Sequence, residues 1–245
     1  MTKKKIMMAA MSAGLVAVVG IGGTLAYLSS RSETVTNTFS VGTGFIPGPE
    51  GQQAVWLDEK DVDESQTGKD IPLVNEGRDL GNTYKDINPG DVEDKDPTVY
   101  LTQGSVESYV FVKVTGVDKL EDVMVGDIQA FEVTGWDDAY WVKADGTDGK
   151  DGIYVANGGN TVDFSGVEKT APEYGKYKPL GRGDVAVPVF TNVVMNSSLT
   201  AMPDKADVDK GDITVQACAV QYSADAMPNG YSDALQAAKD AASWN

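Results

Sequence analysis

The chain has 245 residues, with 37 acidic side chains against 20 basic ones, a formal net charge of −17 and no histidine. That acidity repels phosphate backbones, which argues against nucleic acid as a partner and disfavours docking on anionic lipid. The missing imidazole removes the commonest general base and metal ligand, and the single cysteine, Cys218, leaves no intrachain disulfide to form.

The first element is a leader. Lys3, Lys4 and Lys5 precede a run without charge from Ile6 to Ser30. A basic start followed by an apolar stretch is the pattern of a secretory signal peptide. Thr24-Leu25-Ala26 offers small residues at alternate positions, so cleavage is expected between Ala26 and Tyr27. The run is also long enough to span a bilayer. Its end is glycine-rich, however (Gly20, Gly22, Gly23), and no second hydrophobic span follows, so the membrane is met only through the leader before it is cut. Removing three lysines and no acid takes the net charge to −20. The expected organisation is a signal peptide over 1–26, an N-terminal strand segment over 27–45 and a β-domain over 46–245.

Thr34 to Gly42 alternates polar and apolar residues, with Val35, Phe39 and Val41 on one face of an extended strand and Thr36, Thr38 and Ser40 on the other. A strand so close to the mature N-terminus must pair with a distant strand of its own domain or with another molecule. Pro47, Gly48, Pro49 and Gly51 then mark a turn region, and Val55-Trp56-Leu57 is a short apolar run. Asp58 to Asp70 reads as an acidic surface loop, and residues 75 to 97 as irregular chain full of turn formers. Thr98–Thr102 and Ser108–Thr115 read as strands. The second is apolar on both faces, Val110, Val112 and Val114 against Tyr109 and Phe111, as a central core strand would be.

Phe131 to Val133 starts a further strand, Tyr140 to Val142 another, and Asp145 to Gly152 is a hairpin loop leading to a strand at Ile153 to Ala156. Val167 to Gly183 is read as turn and loop. Val185 to Met195 alternates as one strand, at an edge or bulged because of Pro188. Asp212 to Gln221 is the last strand and buries Cys218. A helix closes the chain, capped by Ser232 or Asp233, with Tyr231, Leu235, Ala238 and Ala242 along one face. Many short strands with frequent turns and no β-helix-β rhythm predict an all-β fold, an antiparallel β-sandwich or jelly roll with a short C-terminal helix.

Several blocks resemble one family in order along the chain. They are Gly23-Thr24-Leu25-Ala26-Tyr27-Leu28; Thr36-Asn37-Thr38-Phe39-Ser40-Val41-Gly42; Asn88-Pro89-Gly90-Asp91 with Lys95-Asp96-Pro97; Val187-Pro188-Val189-Phe190; and Asp212 to Gln221 with the closing Ala241 to Trp244. Together they are similar to the TasA/camelysin (CalY) family, secreted proteins of Gram-positive bacteria whose leaders are cut by a SipW-type signal peptidase. The resemblance implies a jelly roll and a homopolymer: fibres of the extracellular matrix or cell surface in which an N-terminal strand completes the sheet of the next subunit. An unpaired strand edge is a template for another chain, and strand addition is an established mode of recognition. Residues 33 to 41 are the expected donor, with Val35, Phe39 and Val41 as the inserted face. The loop at 58 to 70 and the hairpin at 144 to 152 have no clear counterpart in the family.

Camelysins are described as metallopeptidases, but a zinc protease of familiar design needs imidazoles and this chain has none. Serine and cysteine triads fail for the same reason, so no enzymatic activity is expected. Asp145, Asp148 and Asp151 recur every third residue and are the one candidate for Ca²⁺, the only cofactor considered. Their spacing departs from the EF-hand pattern, which favours a solvated hairpin tip. Arg182-Gly183-Asp184 is read as an ordinary turn. Trp136, Tyr140 and Trp141 are read as core or lid residues in preference to a sugar platform. The alternatives to a fibre subunit are a monomeric surface protein that binds Ca²⁺ or glycan and, ranked last because there is no histidine, a camelysin-like metallopeptidase.

Overall fold

The computed structural model describes residues 29–31, 44–62, 78–209 and 211–244. The leader with its Ala26–Tyr27 junction, and Val35, Phe39 and Val41, lie outside the described residues. In chain order the strands are β1 (Ser29–Arg31), β2 (Val55–Lys60), β3 (Arg78–Asp79), β4 (Val92–Asp94), β5 (Thr98–Thr102), β6 (Ser108–Thr115), β7 (Met124–Val125), β8 (Ile128–Gln129), β9 (Phe131–Thr134), β10 (Val142–Lys143), β11 (Gly152–Val155), β12 (Tyr177–Pro179), β13 (Gly181–Arg182), β14 (Val185–Ala186), β15 (Asn192–Met195) and β16 (Thr214–Gln221). The helices are α1 (Val117–Glu121), α2 (Lys205–Val208) and α3 (Tyr231–Ala242).

All of these strands pair antiparallel. The largest sheet has the order β1-β16-β6-β11-β10, with β6 at its centre as its two apolar faces predict. A second sheet runs β12-β5-β2-β3 and a third β4-β15-β9. On one side of the large sheet Val110, Val112, Val114, Ala217 and Ala219 meet Val55, Val99 and Leu101 of the second sheet and Phe131, Val133 and Met195 of the third in one buried core. On its other side Tyr109, Phe111, Cys218 and Val220 pack against Ala234, Ala238 and Trp244 at the C-terminal helix. Cys218 is fully buried between these layers, out of reach of an intermolecular disulfide.

Helix α3 starts after Gly230 and not at a capping Ser232 or Asp233; the Asp233 carboxylate instead accepts the Asn229 backbone N–H at 2.8 Å. Two short helices, α1 and α2, were not legible. Asp151 makes α1 possible: its carboxylate accepts the backbone N–H groups of Gly116, Val117 and Asp118 at 2.9, 2.8 and 3.2 Å. Those are amides that a helix start leaves without partners.

Several readings of the sequence need correction. Residues 75 to 97 are not all irregular chain: they hold β3 and β4, which pair with β2 and β15. The stretch Asp58–Lys60 is not surface loop: it completes β2, with Asp58 and Glu59 buried. The span 167–183 holds two strands, β12 and β13, because Tyr177–Pro179 pairs with β5. The region 185–195 is not one strand but two in different sheets, β14 and β15, parted at Pro188, which has no N–H to give a ladder. Tyr140 and Trp141 are also core residues outside any strand, only Val142–Lys143 being paired. The Trp141 ring is fully buried and its Nε1 donates to the Val187 carbonyl at 3.0 Å, which ties the 140s to the broken segment. Trp141→Ala is expected to lower stability by about 3–5 kcal/mol in urea unfolding, through the cavity and the orphaned carbonyl.

Candidate functional site: the outer edge of the last strand

β16 is paired with β6 along its whole length, from Thr214↔Thr115 to Gln221↔Ser108. On its other side β1 covers only Cys218 to Val220, in the register Ser29↔Val220, Ser30↔Ala219, Arg31↔Cys218. Among the described residues no strand lies beyond Thr214–Gln216 on that side. A cleft of about 320 Å³ opens there. Its lining includes Ile213, Thr214, Val215 and Gln216 in unbroken succession. Successive strand side chains point to opposite faces, so a cleft that touches four in a row meets the strand edge-on.

The opposite wall is β2 and the chain after β3: Leu57 and Glu59, then Leu80, Gly81 and Asn82, with Lys95 and Pro97 at the end. β3 flanks β2 only at Glu59 and Lys60, so among the described residues Val55–Leu57 also has no strand on its outer side. The cleft therefore lies between the edge of β16 and the face of β2 that carries Leu57 and Glu59.

A buried charge network sets this wall in place. Arg78 Nε donates to Asp58 Oδ1 at 2.5 Å, its Nη1 to Asp96 Oδ2 at 2.8 Å and its Nη2 to Thr98 Oγ1 at 3.1 Å. Lys95 Nζ pairs with Glu59 Oε2 at 2.7 Å, while the Asn82 backbone N–H and side-chain amide both donate to Glu59 Oε1 at 3.0 Å. Burial pushes the Asp58 carboxyl up to about 6, against the pull of Arg78. Burial pulls the Arg78 pKa down, but the hydrogen bonds it donates to Asp96 and the charge of Asp58 outweigh that and raise it, so it stays a cation. Arg78 bridges the two carboxylates, so the group is a cross-link between β2, β3 and the start of β5.

The outer edge of β9 is treated differently. The Val133 N–H donates to Glu121 Oε1 at 2.7 Å, and its carbonyl accepts from Lys150 Nζ at 2.8 Å and Trp136 Nε1 at 3.1 Å. Lys150 and Glu121 are themselves paired at 2.7 Å, and Gln129 Nε2 donates to the Phe131 carbonyl at 2.7 Å. Side chains there take the places of a neighbouring strand, a device that blunts edge pairing.

The hairpin aspartates are not gathered to a point. Asp151 holds α1, while Asp145 accepts the Thr147 hydroxyl at 2.9 Å and the Ile153 N–H at 2.7 Å inside its own loop. Asp148 contributes its backbone carbonyl, 3.3 Å from Lys143 Nζ. Among the described residues no group of three or more acidic or cysteine side chains is arranged to hold a metal ion. Arg182 makes a two-pronged contact with Asp137 at 2.5 and 3.1 Å and lies over the Tyr140 ring, so the Arg-Gly-Asp turn is used internally. Trp136 stacks on Tyr154 with ring centroids 5.3 Å apart, and Tyr140 and Trp141 are buried, as core residues would be.

Sequence reasoning missed Asp58, Glu59, Arg78 and the Glu121–Lys150 cover. One signal was present: Asp58 and Glu59 follow Val55-Trp56-Leu57 without a turn former, so the strand had no reason to stop. No protein-family profile, curated protein or solved structure matches the chain.

Asp58 gives the network a pH signature. Its folded value of about 6 lies above its ordinary 3.8, so the folded state holds a proton that the unfolded state releases. That contribution is fully present below about pH 4 and lost as pH rises through 6. The stability of the wild type relative to Asp58→Asn, which cannot titrate, is expected to fall by about 3 kcal/mol between about pH 4 and pH 7. Urea unfolding at a series of pH values checks this, and a flat difference would refute it.

Proposed function

We propose that this chain is an exported, non-enzymatic structural protein of the TasA/camelysin kind, a jelly roll that polymerises into extracellular-matrix or cell-surface fibres. Its leader is removed by a SipW-type signal peptidase between Ala26 and Tyr27. Residues 33–41 of one copy then complete the sheet of the next, with Val35, Phe39 and Val41 as the inserted face. What supports the reading is the cleft at the β16 edge, where no described strand lies beyond Thr214–Gln216. It offers an incoming strand that edge beside an apolar floor of Leu57, Ile213 and Val215. A head-to-tail contact of this kind propagates instead of closing. The acidic surface, net −20 after cleavage, keeps copies apart until such a specific contact forms.

Negative-stain microscopy of residues 27–245 beside a chain starting at Gly42 tests the proposal. Filaments are expected from the longer form only, and Phe39→Asp in that form is expected to abolish them. Filaments from both, or from neither, would overturn it.

A further inference from the structure

Three side chains that line the cleft have a chemistry that ion pairing does not use. Glu59 is buried, and both of its carboxylate oxygens face nitrogen. Its Oε2 accepts from Lys95 Nζ at 2.7 Å, and its Oε1 accepts from Asn82 Nδ2 at 3.0 Å. A primary amine and a carboxamide therefore hang on one carboxylate. The carboxamide is engaged at both of its polar atoms. Nδ2 also donates to the Lys60 carbonyl at 2.8 Å, and Oδ1 accepts the Val62 N–H at 2.9 Å. Those partners fix which end is nitrogen, because a carboxylate and a carbonyl only accept and a backbone N–H only donates. Lys95 Nζ lies over the Tyr84 ring, 5.7 Å from its centroid, and the Tyr84 hydroxyl is tied to the Asp94 carbonyl at 2.8 Å.

The other lysine pairs lack one part of this arrangement. The Glu121–Lys150 pair is completed by the backbone N–H and carbonyl of Val133. The Lys60–Asp94 pair has the Asn192 amide 3.4 Å from its carboxylate, but its side chains are 55% and 45% exposed, against 12% and 5% for Lys95 and Glu59. Water solvates that pair, whereas the pair at Glu59 is largely shielded from it.

We propose that Lys95 and Asn82 condense into an intramolecular isopeptide bond, Nζ to Cγ, with Glu59 as the proton carrier. The proposal is independent of the fibre reading. Nζ passes one proton to Glu59 Oε2 and turns toward Asn82 Cγ, where its lone pair forms the new C–N bond. The negative charge that builds on Oδ1 is met by the Val62 N–H. Glu59 gives its proton to Nδ2, which already lies within hydrogen-bond reach of Oε1. The Cγ–Nδ2 bond then breaks, and a second Nζ proton leaves with the departing nitrogen. The products are one amide bond and one ammonium ion, and Glu59 ends as the carboxylate it began as. No oxidant or cofactor enters the balance, and the cleft gives the ammonium a way out. The bond ties the turn after β3 to the chain before β5 and closes residues 82–95 into a ring.

Intact mass spectrometry of the purified protein, read against its sequenced N-terminus, tests this. A mass short by one ammonia is expected. A tryptic digest is expected to yield a branched peptide joining Asn82 to Lys95, with no cleavage after Lys95. Glu59→Gln and Lys95→Arg are each expected to restore the full sequence mass. A wild-type mass equal to that of the sequence would overturn the inference, whether or not either variant folds. An ammonia deficit that survives in Lys95→Arg would also overturn it, because a cyclised asparagine loses ammonia without any lysine. A branched peptide that still forms in Glu59→Gln would overturn the role given to Glu59.

Discussion

The antiparallel pairing of β6 with β16 is the constraint on which the other contacts rest. It runs the full eight residues of each strand, and where Tyr109–Val112 meet Ala217–Val220 both of its faces are buried. One face supplies the valines and alanines of the main core, and the other supplies the aromatic and thiol side chains under α3. Burial on two sides removes water as an alternative hydrogen-bond partner, so the ladder's backbone groups must find each other. The strands are far apart in sequence, and their pairing brings the chain's end back over its middle. Trp244 then locks the end by donating its Nε1 to Gln216 Oε1 at 2.9 Å.

That pairing gives β16 a fixed side and, over Thr214–Gln216, a side on which no strand lies among the described residues. That stretch faces Leu57 and Glu59 of β2 across a cleft whose far wall is held by charge. Burying Asp58, Glu59, Arg78 and Lys95 is costly unless each finds a partner, and here Arg78 serves several acceptors at once while Asn82 brings two donors to Glu59. The chain contains only three arginines, and the two at 78 and 182 both carry carboxylate pairs. In so acidic a protein the scarce guanidinium groups go where planar, multiple hydrogen bonding is needed. The contrast with β9 has the same root. An edge can be finished by side chains, as Glu121, Lys150, Trp136 and Gln129 do, or left for a strand.

Much of the fold was legible because the relevant signals are local. The limits of β5 and β6 follow from runs of strand-forming residues, and the two-sided burial of β6 from its apolar residues on both faces. The last strand and the C-terminal helix follow from their periods. What was not legible depended on tertiary partners. Asp58 and Glu59 look like the start of an acidic loop until Arg78 and Lys95 are brought beside them. Residues 185–195 look like one strand until Pro188 is set between two sheets. Asp145, Asp148 and Asp151 look like a ligand set by spacing, yet a hairpin turns two of them to different backbone amides. Val35, Phe39 and Val41 are legible as a face, while the surface that would receive them depends on the β1 register and on which edges side chains have closed.

The central claim is that an edge of β16 receives the segment 33–41. The most direct measurement adds a synthetic peptide of those residues to a chain that begins at Gly42 and follows the melting temperature. A ligand that binds only the folded state raises it in proportion to RT ln(1 + [L]/Kd). The account predicts a rise that grows with peptide concentration, with slowed amide exchange at Thr214–Gln216 and no effect from the same peptide carrying Phe39→Asp. An unchanged melting temperature at saturating peptide, or protection confined to a different edge, would contradict it.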